Sequence, residues 1–243
     1  MKPYVFAHRG ASGYEIENTI PSFKKAVSMG VGIETDIQIT KDNKLICFHD
    51  PYVKIGTGYN AISDLTFKDI QGIQFKDRRK IPLVEEVFQI FKNSSYDLRY
   101  SFDISNKQVG LELLNLAEKY SLLNQIEITD RRLITLSLLR KQNNDVKLIY
   151  TSTDIINTFR DNALNVDKLR KINVCGINLK CSGYIKDLFK MVIDNDFKCY
   201  IWGVNTKTNM QKVLNLGYKG QIVQAIYTDY PDTLLNLIME HFK

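Results

Sequence analysis

Leu98-Arg99-Tyr100-Ser101-Phe102-Asp103-Ile104, followed after a short gap by Val109-Gly110-Leu111-Glu112-Leu113-Leu114-Asn115-Leu116-Ala117, spells out one repeating unit of this chain. The first run is rich in β-formers. In the second, apolar residues recur at three and four positions, the pattern of a helix with one face on a sheet. The same unit recurs on both sides. Strands are predicted at 4–7, 32–37, 98–104, 125–129, 146–150, 176–179, 199–204 and 222–228. Amphipathic segments are predicted at 22–29, 108–120, 133–142, 167–172, 185–194, 208–216 and 231–242. Eight such strand–helix units favour a closed α/β barrel, the TIM (β/α)8 fold, over an open doubly wound sheet. No Gly-x-Gly-x-x-Gly follows the first strand, which speaks against dinucleotide binding.

One segment departs from the alternation. Lys41-Asp42-Asn43-Lys44 separates two β-like runs, 38–40 and 45–48, and four residues are too few for a parallel crossover. The segment therefore predicts an antiparallel hairpin that rises above the barrel rim and brings His49 back towards it. Residues 51–82 are irregular and read as a small insertion after the second barrel strand, on the substrate side. With no repeat or linker in view, residues 1–243 read as a single domain.

Composition narrows the function class. The chain is 44% hydrophobic and 25% charged, enough for a large core. Its formal charge is +6, but the Lys and Arg are scattered. That suits anionic small molecules and does not indicate nucleic-acid binding. Cys47, Cys175, Cys181 and Cys199 form no Cys-x-x-Cys pair and read as reduced thiols of a cytoplasmic protein. The apolar stretch before His8 is too short for a secretory signal, and no run approaches the ~18 residues of a membrane span, so no stable membrane insertion is expected. The oligomeric state stays open, a homo-oligomer included.

The chemistry concentrates in two polar segments. His8 and Arg9 follow the first strand, at the barrel end where active sites of this architecture lie. The guanidinium of Arg9 could clamp a phosphate. Glu34 and Asp36 are two apart in the second strand and so share one face. Two carboxylates on one inner face repel unless a cation or proton separates them, and oxygen ligands suit Mg2+ or Ca2+. Asp103 ends the third strand and is the natural third ligand. His49-Asp50 closes the hairpin. Two histidines at one rim, beside a carboxylate cluster, indicate metal-assisted acid–base hydrolysis of a phosphodiester.

Taken in order, these motifs resemble the glycerophosphodiester phosphodiesterase family. The family's His-Arg-Gly and Glu-Asn-Thr are matched by His8-Arg9-Gly10 and Glu17-Asn18-Thr19. Its Glu-x-Asp strand, Thr-Lys-Asp-Gly turn and closing His-Asp correspond to Glu34-Thr35-Asp36, Thr40-Lys41-Asp42-Asn43 and His49-Asp50. Ile81-Pro82, Glu85-Glu86-Val87, Trp202-Gly203-Val204-Asn205 and Thr228-Asp229-Tyr230-Pro231 complete a series that spans nearly the whole chain. The resemblance implies hydrolysis of a small glycerophosphodiester to glycerol 3-phosphate and an alcohol. It implies one divalent ion, Mg2+ or Ca2+, on Glu34, Asp36 and Asp103, and acid–base catalysis by His8 and His49. Arg9 is implied at the phosphate and Trp202 near the glycerol. The family's Glu-x-Lys at the third strand end is here Asp103-Ile104-Ser105, which makes Lys107 and Lys180 the candidates for the missing positive charge. Two alternatives accompany this reading. One is lysophospholipase D chemistry, with an apolar channel from Tyr52, Val53, Ile55, Tyr59 and Phe75. The other is a barrel that binds a phosphodiester without turning it over.

Overall fold

All eight predicted strands form, and they close into a parallel barrel. The computed structural model describes residues 2–95, 97–152 and 166–243. The strands are β1 (Tyr4–Ala7), β2 (Gly32–Ile39), β3 (Leu45–Cys47), β4 (Tyr52–Ile55), β5 (Gly58–Ala61), β6 (Tyr100–Ile104), β7 (Ile126–Asp130), β8 (Lys147–Thr151), β9 (Gly176–Lys180), β10 (Lys198–Trp202), β11 (Gly217–Tyr218), β12 (Gln221–Ile222) and β13 (Ala225–Thr228). The barrel runs β1, β2, β6, β7, β8, β9, β10, β13 and back to β1, every pair parallel. The register sets Glu34 beside Ser101 and Asp36 beside Asp103.

The described helices are α1 (Ile20–Ser28), α2 (Phe67–Gln71), α3 (Val84–Phe91), α4 (Lys107–Lys119), α5 (Leu133–Gln142), α6 (Val166–Lys171), α7 (Ile185–Asp194), α8 (Lys207–Leu214) and α9 (Pro231–His241). α4 shows how sequence sets an element. The Asn106 side chain accepts from the Val109 amide at 3.0 Å and starts the helix. Val109, Leu113, Leu114 and Ala117 are then buried in the layer between helices and barrel. Gly110 is there because a Cβ would come within 2.9 Å of Ile104 and Leu139 side chains.

The structure revises several boundaries. β2 runs on to Ile39 because its end pairs antiparallel with β3, the predicted hairpin. The predicted strand 222–228 splits, its first residue joining the β11–β12 hairpin and the barrel strand starting at Ala225. α3 was not predicted. Val84, Val87, Phe88 and Phe91 nevertheless carry helical spacing and are buried, and Glu85 and Glu86 complement the dipole of its first turn. The irregular insertion holds the β4–β5 hairpin, α2 and a small core of its own built on Phe48, Val53, Ile62 and Ile70. Among the described residues no helix is long and apolar enough to cross a membrane. All four cysteines are free thiols, Cys47 and Cys199 buried.

The lower half of the barrel interior is plugged. Phe6 stacks on Tyr227 at 5.0 Å, and Tyr227 bonds Ser101 Oγ at 3.0 Å through its hydroxyl. Beneath them Arg99, over the Tyr4 ring at 4.3 Å, pairs with the fully buried Glu127. This packed floor leaves the upper half, at the C-terminal strand ends, open for a site.

Candidate active site

The turn after β1 is built around β2. The Arg9 amide donates to Glu34 Oε2 at 2.7 Å, and the Gly10 amide to the Glu34 carbonyl at 3.1 Å. To make both bonds the chain enters the left-handed region, φ 55° at Arg9 and 76° at Gly10. Arg9 accepts that strain, of order ~1–2 kcal/mol, within a tightly bonded loop. Its carbonyl receives the Asn18 amide at 2.9 Å and Ser22 Oγ at 3.1 Å. Gly10 has no such latitude, since a Cβ would lie 2.3 Å from Ser22 Oγ and 2.7 Å from the Ser22 backbone. Gly10→Ala should therefore cost at least about 1–2 kcal/mol from the backbone alone and displace Arg9. An unchanged denaturation midpoint would refute this.

The Glu17-Asn18-Thr19 motif serves the same loop. Glu17 accepts from Arg9 Nη1 at 3.0 Å. Asn18 donates to Asp36 Oδ2 at 3.1 Å and accepts from Thr35 at 2.6 Å. Thr19 caps α1 in a reciprocal pair with Ser22. Arg9 Nε lies 3.1 Å from Asp36 Oδ2.

These residues line a cavity of about 400 Å³ at the barrel mouth, with His8, Arg9, Glu34, Asp36, His49, Asp103 and Trp202 all in its wall. The sequence thus brings its main candidates to one place. Lys107 and Lys180 do not line it. Lys107 is exposed at the start of α4. Lys180, exposed at the end of β9, holds its ammonium 5.2 Å from the Trp202 ring centre. The positive charge near Ser105 comes instead from Arg131 and Arg132, after β7. Arg132 is clamped by Asp130 at 2.8 Å and by the Ile104 carbonyl at 2.8 Å, and it also bonds the Ser105 carbonyl. Besides Arg9, whose Nε lies against Asp36, four cavity-wall residues carry a buried polar atom with no hydrogen-bond partner among the described residues: Ser105 Oγ, Thr151 Oγ1, Asn178 Oδ1 and Trp202 Nε1. They suit a ligand that carries hydroxyls.

Both imidazoles are oriented through Nδ1, His8 by Asp229 at 2.8 Å and His49 by Asp50 at 2.7 Å. In each, Nε2 is left for other chemistry. Asp229 is in turn held by Asn205, which accepts from its amide at 2.9 Å and donates to its second carboxylate oxygen. Asp229 and Asn205 belong to the Thr228–Pro231 and Trp202–Asn205 motifs, but nothing local in the sequence ties them to His8. Burial opposes a charge on His8, yet Glu34 and Asp229 outweigh it and raise the pKa. Burial alone would lift Asp229, but the His8 hydrogen bond and charge hold it below the usual carboxylate range.

Glu34 is driven up to about 7 by burial, with repulsion from Asp36 partly offset by His8. Asp103 is open to solvent at the cavity, yet protein crowds around it, and this partial desolvation with repulsion from Asp36 and Glu34 lifts it to about 8. Such mutual repulsion among oxygen donors fits a hard cation. Asp103 has no hydrogen-bond partner among the described residues, so its oxygens are available for one. Among the described residues no three acidic, His or Cys side chains already converge on one point. A cation would have to draw these carboxylates together.

A second, larger groove of about 1350 Å³ runs between α1, α3 and the insertion. Its walls include Ile16, Ile20, Phe67 and Phe75, and its rim carries Lys24, Lys76, Arg78 and Lys80. Of the five residues expected to form an apolar channel, Phe75 alone lines it. Val53 is buried in the core of the insertion, whereas Tyr52, Ile55 and Tyr59 are exposed on the β4–β5 hairpin. The groove meets the catalytic mouth at Glu17, which lies 3.8 Å from Arg79 in the groove and 3.0 Å from Arg9 in the cavity.

Known proteins resemble this chain along nearly its whole length. The chain is 29% identical to a glycerophosphodiester phosphodiesterase of Caldanaerobacter subterraneus subsp. tengcongensis, over 98% of both chains. It is 24% identical to the human lysophospholipase D GDPD1, over 96% of this chain and 85% of that one. A phosphodiesterase of Oleispira antarctica, solved in complex with the product sn-glycerol-3-phosphate, superposes with a TM-score of 0.81 at 17% identity, covering 98% of this chain and 97% of that one. The model of the glycerophosphoryl diester phosphodiesterase family matches residues 8–233, and with its motifs gathered at one barrel mouth the chain belongs to that family.

Proposed function

We propose that this protein is a phosphoric diester hydrolase that splits glycerophosphodiesters to glycerol 3-phosphate and an alcohol by metal-assisted acid–base catalysis. One observation carries the reading: two imidazoles, each oriented by a carboxylate, face a single cavity with three crowded carboxylates. A divalent ion, Mg2+ or Ca2+, on Glu34, Asp36 and Asp103 would supply Lewis-acid stabilisation of the charge developing on the phosphate. Arg9, fixed by Glu17 and Asp36, turns its remaining N–H groups to a phosphate oxygen. His49 takes the proton of the attacking hydroxyl, from water or from the glycerol 2-hydroxyl; in the second case a cyclic phosphate forms and water then opens it to glycerol 3-phosphate. His8, with its imidazolium favoured by Asp229, protonates the leaving alcohol. Trp202 packs beside the glycerol, whose hydroxyls meet the unpartnered Ser105, Thr151 and Asn178 atoms.

Release of glycerol 3-phosphate from glycerophosphocholine and glycerophosphoethanolamine, with Mg2+, Ca2+ or EDTA, tests this. Release that depends on the metal is expected. No release with either ion, from folded protein, would leave a different phosphodiester, a lysophospholipid included, or the binding-barrel alternative.

A second reading, cleavage of lysophospholipids, is favoured by the apolar groove that meets the mouth at Glu17. An acyl chain would lie along it. Lysophosphatidylcholine turned over faster than glycerophosphocholine in the same assay would establish this reading, and the reverse order would exclude it.

A further inference from the structure

Charge around the catalytic cavity is unevenly committed. Glu34, Asp36, Asp103 and Asp130 line it, and the substrate is itself an anion. Three arginines face them. Arg9 is engaged by Glu17 and Asp36. Arg132 is engaged by Asp130 and by the carbonyls of Ile104 and Ser105, which occupy most of its N–H groups. Arg131 is exposed, lines the same wall and has no hydrogen bond or carboxylate partner among the described residues.

Strand order places this free guanidinium usefully. β1, β2, β6 and β7 are consecutive around the barrel. Arg9 follows β1, the carboxylates stand on β2 and β6, and Arg131 follows β7. The two arginines therefore flank the carboxylate cluster from opposite sides. Arg132 fixes the neighbouring backbone, and the unpartnered Ser105 Oγ lies in the same wall.

We propose that Arg131 binds the phosphate of the substrate, from the side opposite Arg9. A guanidinium presents a planar fork to two phosphate oxygens. In this role it supplies the positive charge that neither Lys107 nor Lys180 brings to the cavity. The inference rests on the phosphodiesterase reading above.

The test uses Arg131→Gln and Arg131→Lys beside the parent protein, in buffer with the divalent ion. Steady-state hydrolysis of glycerophosphocholine gives KM and kcat, and calorimetry gives the Kd of glycerol 3-phosphate. Arg131→Gln should raise KM and Kd by roughly tenfold or more, the effect of losing a hydrogen bond to a charged group. Arg131→Lys should recover part of the loss. The thermal midpoint should stay put, because among the described residues the side chain has no partner to lose. KM and Kd within about twofold of the parent would overturn the assignment of Arg131 while leaving the phosphodiesterase reading intact. A parent protein that neither hydrolyses the substrate nor binds glycerol 3-phosphate would overturn both.

Discussion

His8→Ala and His49→Ala should each lower kcat by about 10²–10⁴-fold, the usual contribution of a positioned proton donor or acceptor. Both side chains are oriented by carboxylates rather than buried as core, so neither truncation leaves a large cavity. Folding should survive, and circular dichroism can verify that. Asp229→Asn probes the same machinery more finely. The Asp229 charge helps to hold the His8 pKa above its ordinary value. Without it the imidazolium becomes less stable, and the alkaline limb of the kcat profile should move to lower pH. Near-normal rates in either alanine variant would remove that histidine from the mechanism. A pH profile that does not move in Asp229→Asn would show that Asp229 does not tune His8.

Asp103→Asn and Glu34→Gln should abolish most activity, by roughly 10³-fold, the several kcal/mol expected of a bound cation. In chelator, however, both should make the protein more stable. The folded-state pKa values, about 7 for Glu34 and about 8 for Asp103, lie above their ordinary values of 4.5 and 3.8. Between those limits the folded protein holds more protons than the unfolded chain. The contribution of these groups to stability is thus fully present below the unfolded pKa and is lost as pH rises through the folded one. Metal-free parent protein should lose stability from pH 5 towards pH 8 more steeply than either amide variant. Added Mg2+ or Ca2+ should restore the parent at the alkaline end and do little for the variants. Thermal melts across pH, with and without the ion, measure all of this. Variants that melt lower than the parent in EDTA at pH 8 would contradict the crowding of these carboxylates.

Much of the catalytic mouth was legible because strand geometry is local. A spacing of two puts Glu34 and Asp36 on one face whatever surrounds them. A strand end puts His8 and Asp103 at a rim. The hairpin after β2 followed from a four-residue gap that allows nothing else. α3 was missed although its apolar spacing was visible, because the Pro82 and glycine-rich stretch before it read as irregular. Lys107 is two residues from Ser105 and Lys180 ends another barrel strand, which made both candidates. Lys107 sits at an exposed helix start and Lys180 lies over the Trp202 ring, so neither lines the cavity, and Arg131 and Arg132 arrive from the next strand instead. The apolar channel was misplaced for a similar reason. Tyr52 and Tyr59 lie on the β4–β5 hairpin, which leaves them exposed to solvent, and the groove formed where the insertion meets α1 and α3.

By itself, then, the sequence determined the strand–helix alternation, the carboxylate pair on β2 and the two histidines at the rim, all consequences of side-chain period and of where each strand ends. Barrel closure decided the rest. Pairing of β1 with β13 brought Asp229 to His8 across 221 residues, and adjacency of β6 and β7 brought Arg132 to the Ser105 carbonyl. The raised pKa of Glu34 likewise needs the packed wall that only the closed barrel provides, and that of Asp103 needs the barrel mouth around it and the carboxylates on β2. Such contacts depend on which strands become neighbours and on how far the mouth is desolvated. Neither is written in any local stretch of chain.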